Sequence, residues 1–210
     1  MNFRTKSCRE LGTLAPTASF PPAVGCMHSP TLHTTRLLLR PPTDADVAAI
    51  HDIHRHKSVA DGVLTIPHPH TIDDARAWLT RLRAPAAEGR LNFIWLICLA
   101  DSGEPVGDCG LHIDVKHRRG VLGYLVRPDH WGRGIVTEAL RAVVEHAFDR
   151  LDPPLIRVEA DHYPENPASG RVLEKLGFQR EGVLRSYILK HGVPRDAVRW
   201  AMLAGDLRRN

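Results

Sequence analysis

Two glycines one residue apart, Gly132 and Gly134, separate a strand-like run (Gly123-Tyr124-Leu125-Val126) from an amphipathic run that begins at Ile135. A strand, a tight loop and a helix N-terminus in that order make a cradle for a diphosphate. Without a Cβ, the backbone can bend sharply and bring its N–H groups close to an anion. The helix adds its unsatisfied first-turn donors and the positive end of its dipole. Each charge-assisted hydrogen bond is worth about 1.5–3 kcal/mol, so a few converging amides anchor a diphosphate without a metal. A second group follows in Asn166-Pro167-Ala168-Ser169-Gly170-Arg171, where a capping Asn precedes Pro and a hydroxyl stands one turn into a helix. A third is Asp108 with His112, four apart in a predicted strand and therefore on one face of it.

Composition excludes several roles. The 210 residues make one domain with room for a substantial core, and 43% hydrophobic with 25% charged residues is ordinary for a globular protein. No apolar run approaches the ~20 residues of a membrane span, so no membrane partner is expected and a cytoplasmic location is. The net charge is +4, from 28 basic and 24 acidic residues. Its basic residues are scattered and not interleaved with aromatics, so no nucleic-acid partner is expected. Four cysteines (Cys8, Cys26, Cys98, Cys109) show neither zinc spacing nor a C-x-x-C pair. Cys98 and Cys109 fall in predicted strands and read as small buried hydrophobes. Of thirteen histidines, His51 and His54 share a helical face while His56 points away, and His68 and His70 flank a proline. These read as scattered, exposed side chains, and no metal is expected. Residues 1–30 are rich in Pro, Gly, Ser and Thr without periodicity. They are expected to be a disordered or dispensable extension, with Met27 as an alternative start and the domain occupying 31–210.

The loop Pro128-Asp129-His130-Trp131-Gly132-Arg133-Gly134 and the segment from Asn166 to Phe178 (N-x-x-S-x-x-V-L-E-K-x-G-F) together resemble the GNAT superfamily of acetyl-CoA-dependent N-acetyltransferases. The match is to its RimJ/RimL-like branch, which acetylates protein N-termini and various small amines. It spans Thr35 to about Leu203. The resemblance implies an α+β fold, with a mixed, mostly antiparallel sheet, helices on both faces and a splayed strand pair into which acetyl-CoA wedges. The pantetheine arm would pair with Tyr124, Leu125 and Val126. The loop carrying Trp131, with the amides from Gly132 to Thr137, would hold the pyrophosphate. Arg133 and Arg171 either reach the 3′-phosphate or are ordinary exposed arginines. Asn166 would contact the cofactor, and Ser169 would hydrogen-bond the departing thiolate. A homodimer is also implied.

Two positions depart from the family pattern. Val136 replaces a small residue, which an amide donor tolerates. Val121 stands where many relatives place a catalytic glutamate. Substitutes are Asp108 and His112, Glu159, or a chain of water to solvent. An α-amine ionises near ~7.7–8.0 and a lysine near ~10.4, so a weak base favours an N-terminal α-amine or another amine of low pKa. The expected activity is direct attack of such an amine, on a protein N-terminus or a small molecule, on the thioester. The alternative is an acyl-CoA-binding module without catalysis.

These groups need a scaffold. Strands are predicted over 35–40, 93–99, 105–115, 121–126, 155–160, 178–189 and 197–203. Helices are predicted after Thr43, after Thr71 with Asp74 completing a capping box, from Ile135, and from Pro167 to Gly177. Trp78 recurs with Ala75, Leu79 and Leu82 at helical spacing and is read as core.

Overall fold

The computed structural model describes residues 29–207 apart from 64, 85, 86 and 88. The expected extension through residue 28, Met27 included, lies outside the described residues. Strands are β1 (Leu32–His33), β2 (Leu37–Arg40), β3 (Arg90–Leu99), β4 (Pro105–Asp114), β5 (Arg119–Val126), β6 (Arg157–His162), β7 (Gln179–Lys190) and β8 (Val193–Leu203). Helices are α1 (Val47–His54), α2 (Lys57–Gly62), α3 (Ile72–Arg83), α4 (Ile135–Asp149) and α5 (Pro167–Leu176). One sheet runs β1-β2-β3-β4-β5-β6-β8-β7. Among the described residues only the β5–β6 pair is parallel.

Strand alternation sorts the sheet into two faces. Leu37, Leu39, Trp95, Ile97 and Leu111 join Leu140, Val143 and Val144 of α4 and Leu173 and Leu176 of α5 in one core. Leu38, Leu96 and Cys98 turn the other way, to Ile50 of α1 and Ala75 and Leu79 of α3. Each such aliphatic side chain contributes about 1.5–3 kcal/mol on burial, which fixes every helix to its face. Cys98 and Cys109 are buried free thiols. Thr71 caps α3 as its sequence predicts, with Asp74 N–H donating to its Oγ1 at 3.2 Å and its own N–H donating to Asp74 Oδ2 at 2.7 Å.

The sheet opens between β5 and β6. β5 pairs with β6 from Arg119↔Arg157 only as far as Leu122↔Ala160. Pairing with β4 continues to Val126↔Gly107, so the outer edge of residues 123–126 is left without a strand. β6 meanwhile stays with β8 through His162↔Val198 and is drawn away.

Several boundaries differ from the sequence expectation. Residues 155 and 156 are not in the strand: Leu155 N–H donates to Ala147 O at 3.0 Å and Ile156 N–H to Arg118 O at 2.8 Å, leaving β6 to start at Arg157. The last hairpin is longer than expected, because β8 begins at Val193 while β7 bulges twice against it. Its residues are largely exposed, so no apolar alternation marks it. Helix α2 carries no amphipathic signal of useful length and was not expected.

Candidate active site

The glycine loop adopts the conformation its residues permit. Gly132 has φ 73° and Gly134 φ 76°, both left-handed. Such a backbone costs any other L-residue roughly 1–2 kcal/mol. The first helical bond runs from Glu138 N–H to Gly134 O at 3.0 Å, so Ile135, Val136 and Thr137 are the free first-turn donors. A residue the sequence reading missed completes the loop. Arg36, at the entry to β2, donates from Nη1 to the Arg133 carbonyl at 3.1 Å. In a trans peptide unit the N–H of Gly134 then points the opposite way. Arg36 is itself held by Glu138, Nε to Oε2 at 2.7 Å, and Thr34 Oγ1 donates to Glu138 Oε1 at 2.6 Å. Nothing in the spacing of Arg36 marks it; only the fold brings it within reach. Trp131, Gly132, Arg133 and Gly134 are all exposed, as an open cradle requires. The Trp131 indole donates to Val126 O at 2.8 Å, tying the loop to the end of β5.

Across the opening, Tyr124 of β5 and Ser169 of α5 meet, with Oη and Oγ 2.6 Å apart. Asn166 caps α5 as expected, accepting from Ser169 N–H at 3.3 Å. Burial pushes the Tyr124 phenol up to about 12, against the opposing effect of its Ser169 bond, so it stays protonated across the neutral range. It can therefore donate to Ser169 Oγ and leave the serine O–H for a ligand. Arg171 is exposed on the same helix. Nearby Tyr163 is 5% exposed, and its hydroxyl has no hydrogen-bond partner among the described residues.

The opposite face is built from side chains of distant segments. Asp108 lies across from Leu125 in the β4–β5 ladder. Its Oδ2 is 2.7 Å from His54 Nε2, in a pair 9% and 1% exposed. His54 packs edge-on against Trp78 and His70, with ring centroids 5.4 and 5.2 Å away. His70 Nδ1 lies 3.4 Å from His51 Nδ1. Burial first, and then the neighbouring His54, push the His70 imidazole down to about 4. The expectation of scattered, exposed histidines is thus corrected: His54 and His70 are buried and gathered with His51, because α3 and the segment before it fold back over α1. They do not converge on a metal site, and no group of three or more ligating side chains does among the described residues. His54, His70, Trp78, Thr65, Ile66 and His191 help line a cavity of about 520 Å³. Trp78 packs on the α1–α3 core, as predicted, and also forms a wall of this cavity.

His112 shares a strand face with Asp108 but not its surroundings. It is exposed, sits opposite Val121 and pairs with Asn92 Oδ1 at 2.7 Å. Glu159 is buried and taken up by Arg157 at 2.7 Å and Arg199 at 3.2 Å. Helix α2 lies over the opening. Val59, Ala60 and Ile66 form a small cluster against which Leu125 packs. Lys190, at the end of β7, donates to the carbonyls of Ala60 and Val63 at 2.6 and 2.8 Å.

The parallel strand pair thus parts ahead of a left-handed glycine loop and a hydroxyl pair. Residues 36–179 match the acetyltransferase (GNAT) domain, and the chain belongs to that family. It lies on the RimJ/RimL-like branch and is an N-acetyltransferase. It is 36% identical over 168 residues to "Uncharacterized N-acetyltransferase YoaA" of Bacillus subtilis, covering 80% of this chain and 93% of that one. Over 85 residues it is 34% identical to the "[Ribosomal protein uS5]-alanine N-acetyltransferase" of Escherichia coli, 40% of this chain and 43% of that one. Among solved structures, Mycobacterium smegmatis RimJ in complex with CoA-disulfide superposes with a TM-score of 0.74 at 28% identity, over 91% of this chain and 93% of that one.

Proposed function

We propose that acetyl-CoA is the donor and that the acceptor is an amine of low pKa, above all the α-amine of a protein N-terminus. The observation that carries this reading is the parting of β5 from β6 after Leu122, directly ahead of the Gly132–Thr137 cradle. The free edge at Tyr124, Leu125 and Val126 would take the pantetheine amides as an added strand. The amides of Gly132 to Thr137 would take the pyrophosphate, with Arg133 and Arg171 exposed beside it for the 3′-phosphate. The thioester would then lie near Tyr124 and Ser169. A free amine attacks the thioester carbon, the C–S bond breaks with its electron pair going to sulfur, and Ser169 O–H donates to the thiolate. A thiol ionises near ~8.5, so hydrogen bonding suffices for its departure. Proximity supplies much of the remaining acceleration. The nitrogen must also shed a proton, and Asp108, paired with His54, is the carboxylate proposed to take it.

The acceptor class follows from Val121. With no carboxylate there, a lysine ammonium costs about 3–4 kcal/mol more to neutralise at pH 7 than an α-ammonium. The uS5-alanine enzyme of E. coli, by its name, acts on a protein alanine, which agrees with this choice. The test mixes the protein with acetyl-CoA and, separately, an alanine-initiated peptide, free amino acids, spermidine and a lysine side-chain analogue, while free thiol is followed. Thiol release fastest with the peptide supports the reading; release fastest with spermidine or an amino acid moves the acceptor to small amines. Tight acetyl-CoA binding without release by any amine leaves an acyl-CoA-binding module.

A further inference from the structure

The Asp108–His54 pair is more elaborate than a structural role for either residue requires. A buried carboxylate is costly unless paired and hydrogen-bonded. Here its partner is an imidazole that is itself 1% exposed, brought from α1 across the sheet face. A carboxylate oxygen accepts, so Nε2 is the ring nitrogen that carries a proton toward Asp108 Oδ2. The other ring nitrogen, Nδ1, has no hydrogen-bond partner among the described residues. The rings of Trp78 and His70 hold His54 from the side away from the sheet. The charged and titratable groups around it are Asp108 from β4, His51 from α1, His70 from the following segment, Asp74 and Arg81 from α3, and His191 from the β7–β8 turn. Asp108 is next to the opening, because Leu125 opposite it belongs to the free edge of β5.

We infer that His54 is the positioning residue for a proton-accepting Asp108, replacing the missing carboxylate at Val121. Its Nε2–H holds Oδ2 and thereby fixes the rotamer in which Oδ1 faces the acceptor. The step balances simply. Attack on the thioester leaves a proton on the new C–N nitrogen. That proton passes to Oδ1 of Asp108, directly or through one water, as the C–S electron pair moves to sulfur. The protonated carboxyl then returns its proton to solvent. This deepens the proposed function and rests on it. It also explains why a buried histidine sits beneath a cavity without a bond for its second nitrogen: the ring is a hydrogen-bond donor to one side only.

The experiment compares wild type with His54→Leu, His54→Gln and Asp108→Asn, using the best amine of the screen. Steady-state kinetics, acetyl-CoA affinity by calorimetry and thermal melting are recorded for each. Asp108→Asn should lower kcat by about a hundredfold, the lower range of general-base effects. His54→Leu should lose about thirtyfold in kcat, with acetyl-CoA affinity held within about twofold, the sign that binding energy is untouched. His54→Gln keeps an N–H donor in the same direction and should recover most of that loss. Equal losses for Leu and Gln, or a silent Leu variant, overturn the proposal. Folding of the variants is not needed for a second readout. Nitrogen-15 NMR of wild-type His54 should show the Nε2–H tautomer across the assay range, and an Nδ1–H tautomer overturns the proposal by itself. Wild type that binds acetyl-CoA yet releases no thiol with any amine sinks the proposed function, and this proposal with it. That outcome differs visibly from failure of His54 alone, where wild type turns over normally.

Discussion

The two sides of the opening are made of different material. On the side proposed for the cofactor, the loop is backbone from six consecutive residues, the last three of them the first turn of α4, with the Tyr124–Ser169 contact beside it. On the side proposed for the acceptor, no two of the principal groups are neighbours in sequence: His54 comes from α1, His70 from the segment before α3, Asp108 from β4 and Lys190 from the end of β7. A diphosphate presents the same charges in every reaction, so a short loop of fixed geometry serves it. An acceptor varies, and a surface assembled from separate segments can be altered one side chain at a time. The cofactor side should therefore fail through backbone conformation, and the acceptor side through individual side chains.

The largest effect should come from the cradle. Gly132→Val with Gly134→Val forces two β-branched residues into left-handed φ, and acetyl-CoA affinity should fall by at least a hundredfold, from a strain of about 1–2 kcal/mol or more at each site. Space is not the issue: a Cβ at Gly132 meets nothing within 4 Å, and one at Gly134 comes no closer than 3.6 Å to Arg36. Calorimetry with unchanged affinity would remove the cradle assignment. Ser169→Ala should follow, with kcat down by about tenfold and affinity nearly unchanged, since one hydrogen bond to a departing thiolate is worth about 1.4 kcal/mol. Loss divided evenly between kcat and KM would make Ser169 a binding residue.

The same contrast decides what could be read from the sequence. The left-handed glycine loop, the cap at Asn166 and the stripe of α4 were legible because local rules fix them: φ freedom at glycine, an Asx cap before proline, apolar spacing of 3.6. The acceptor side was not. His54 and His70 looked like dispersed polar residues, and only the return of α3 over α1 buries them. Arg36 gave no signal because its target is a carbonyl nearly a hundred residues away, Arg133 O. Asp108 was visible as a candidate through strand parity alone, which paired it with His112; parity cannot tell that an α1 histidine arrives from above.

A smaller effect concerns the platform of the acceptor side. Asp46, buried just ahead of α1, accepts from Arg40 of β2 at 2.8 and 2.7 Å and from Thr43 N–H at 2.7 Å. Burial raises its carboxyl pKa, but the Arg40 and Thr43 bonds outweigh this and bring it down to about 2. A carboxyl lowered on folding, from ~3.9 when unfolded, adds stability above that value and loses it as pH falls toward the folded pKa. Asp46→Asn should therefore cost about 1–2 kcal/mol near neutral pH, read from thermal or denaturant unfolding, and the gap to wild type should close between about pH 4 and 2. The acceptor KM should rise while acetyl-CoA affinity stays put. A gap that does not change with pH would mean the pair matters only for packing.

The smallest effect is expected at His112, and it sharpens the comparison most. Four residues of strand put it about 13 Å from Asp108 along β4. It is exposed, and its ring nitrogen is already engaged with Asn92. Opposite it stands Val121, the apolar occupant of the position where the resemblance leads one to expect a glutamate. At this end of the strand the neighbouring carboxylate, Glu159 across from Val121, is taken up by Arg157 and Arg199 and His112 is paired with a neutral amide, whereas Asp108 has His54. His112→Ala should change kcat and KM by no more than about twofold, or 0.4 kcal/mol, at every pH from 6 to 9. A tenfold loss confined to low pH, where most of the amine is protonated, would show that the proton leaves past Val121 after all. The acceptor would then lie along the whole of β4, and the Asp108–His54 pair would be only its far wall.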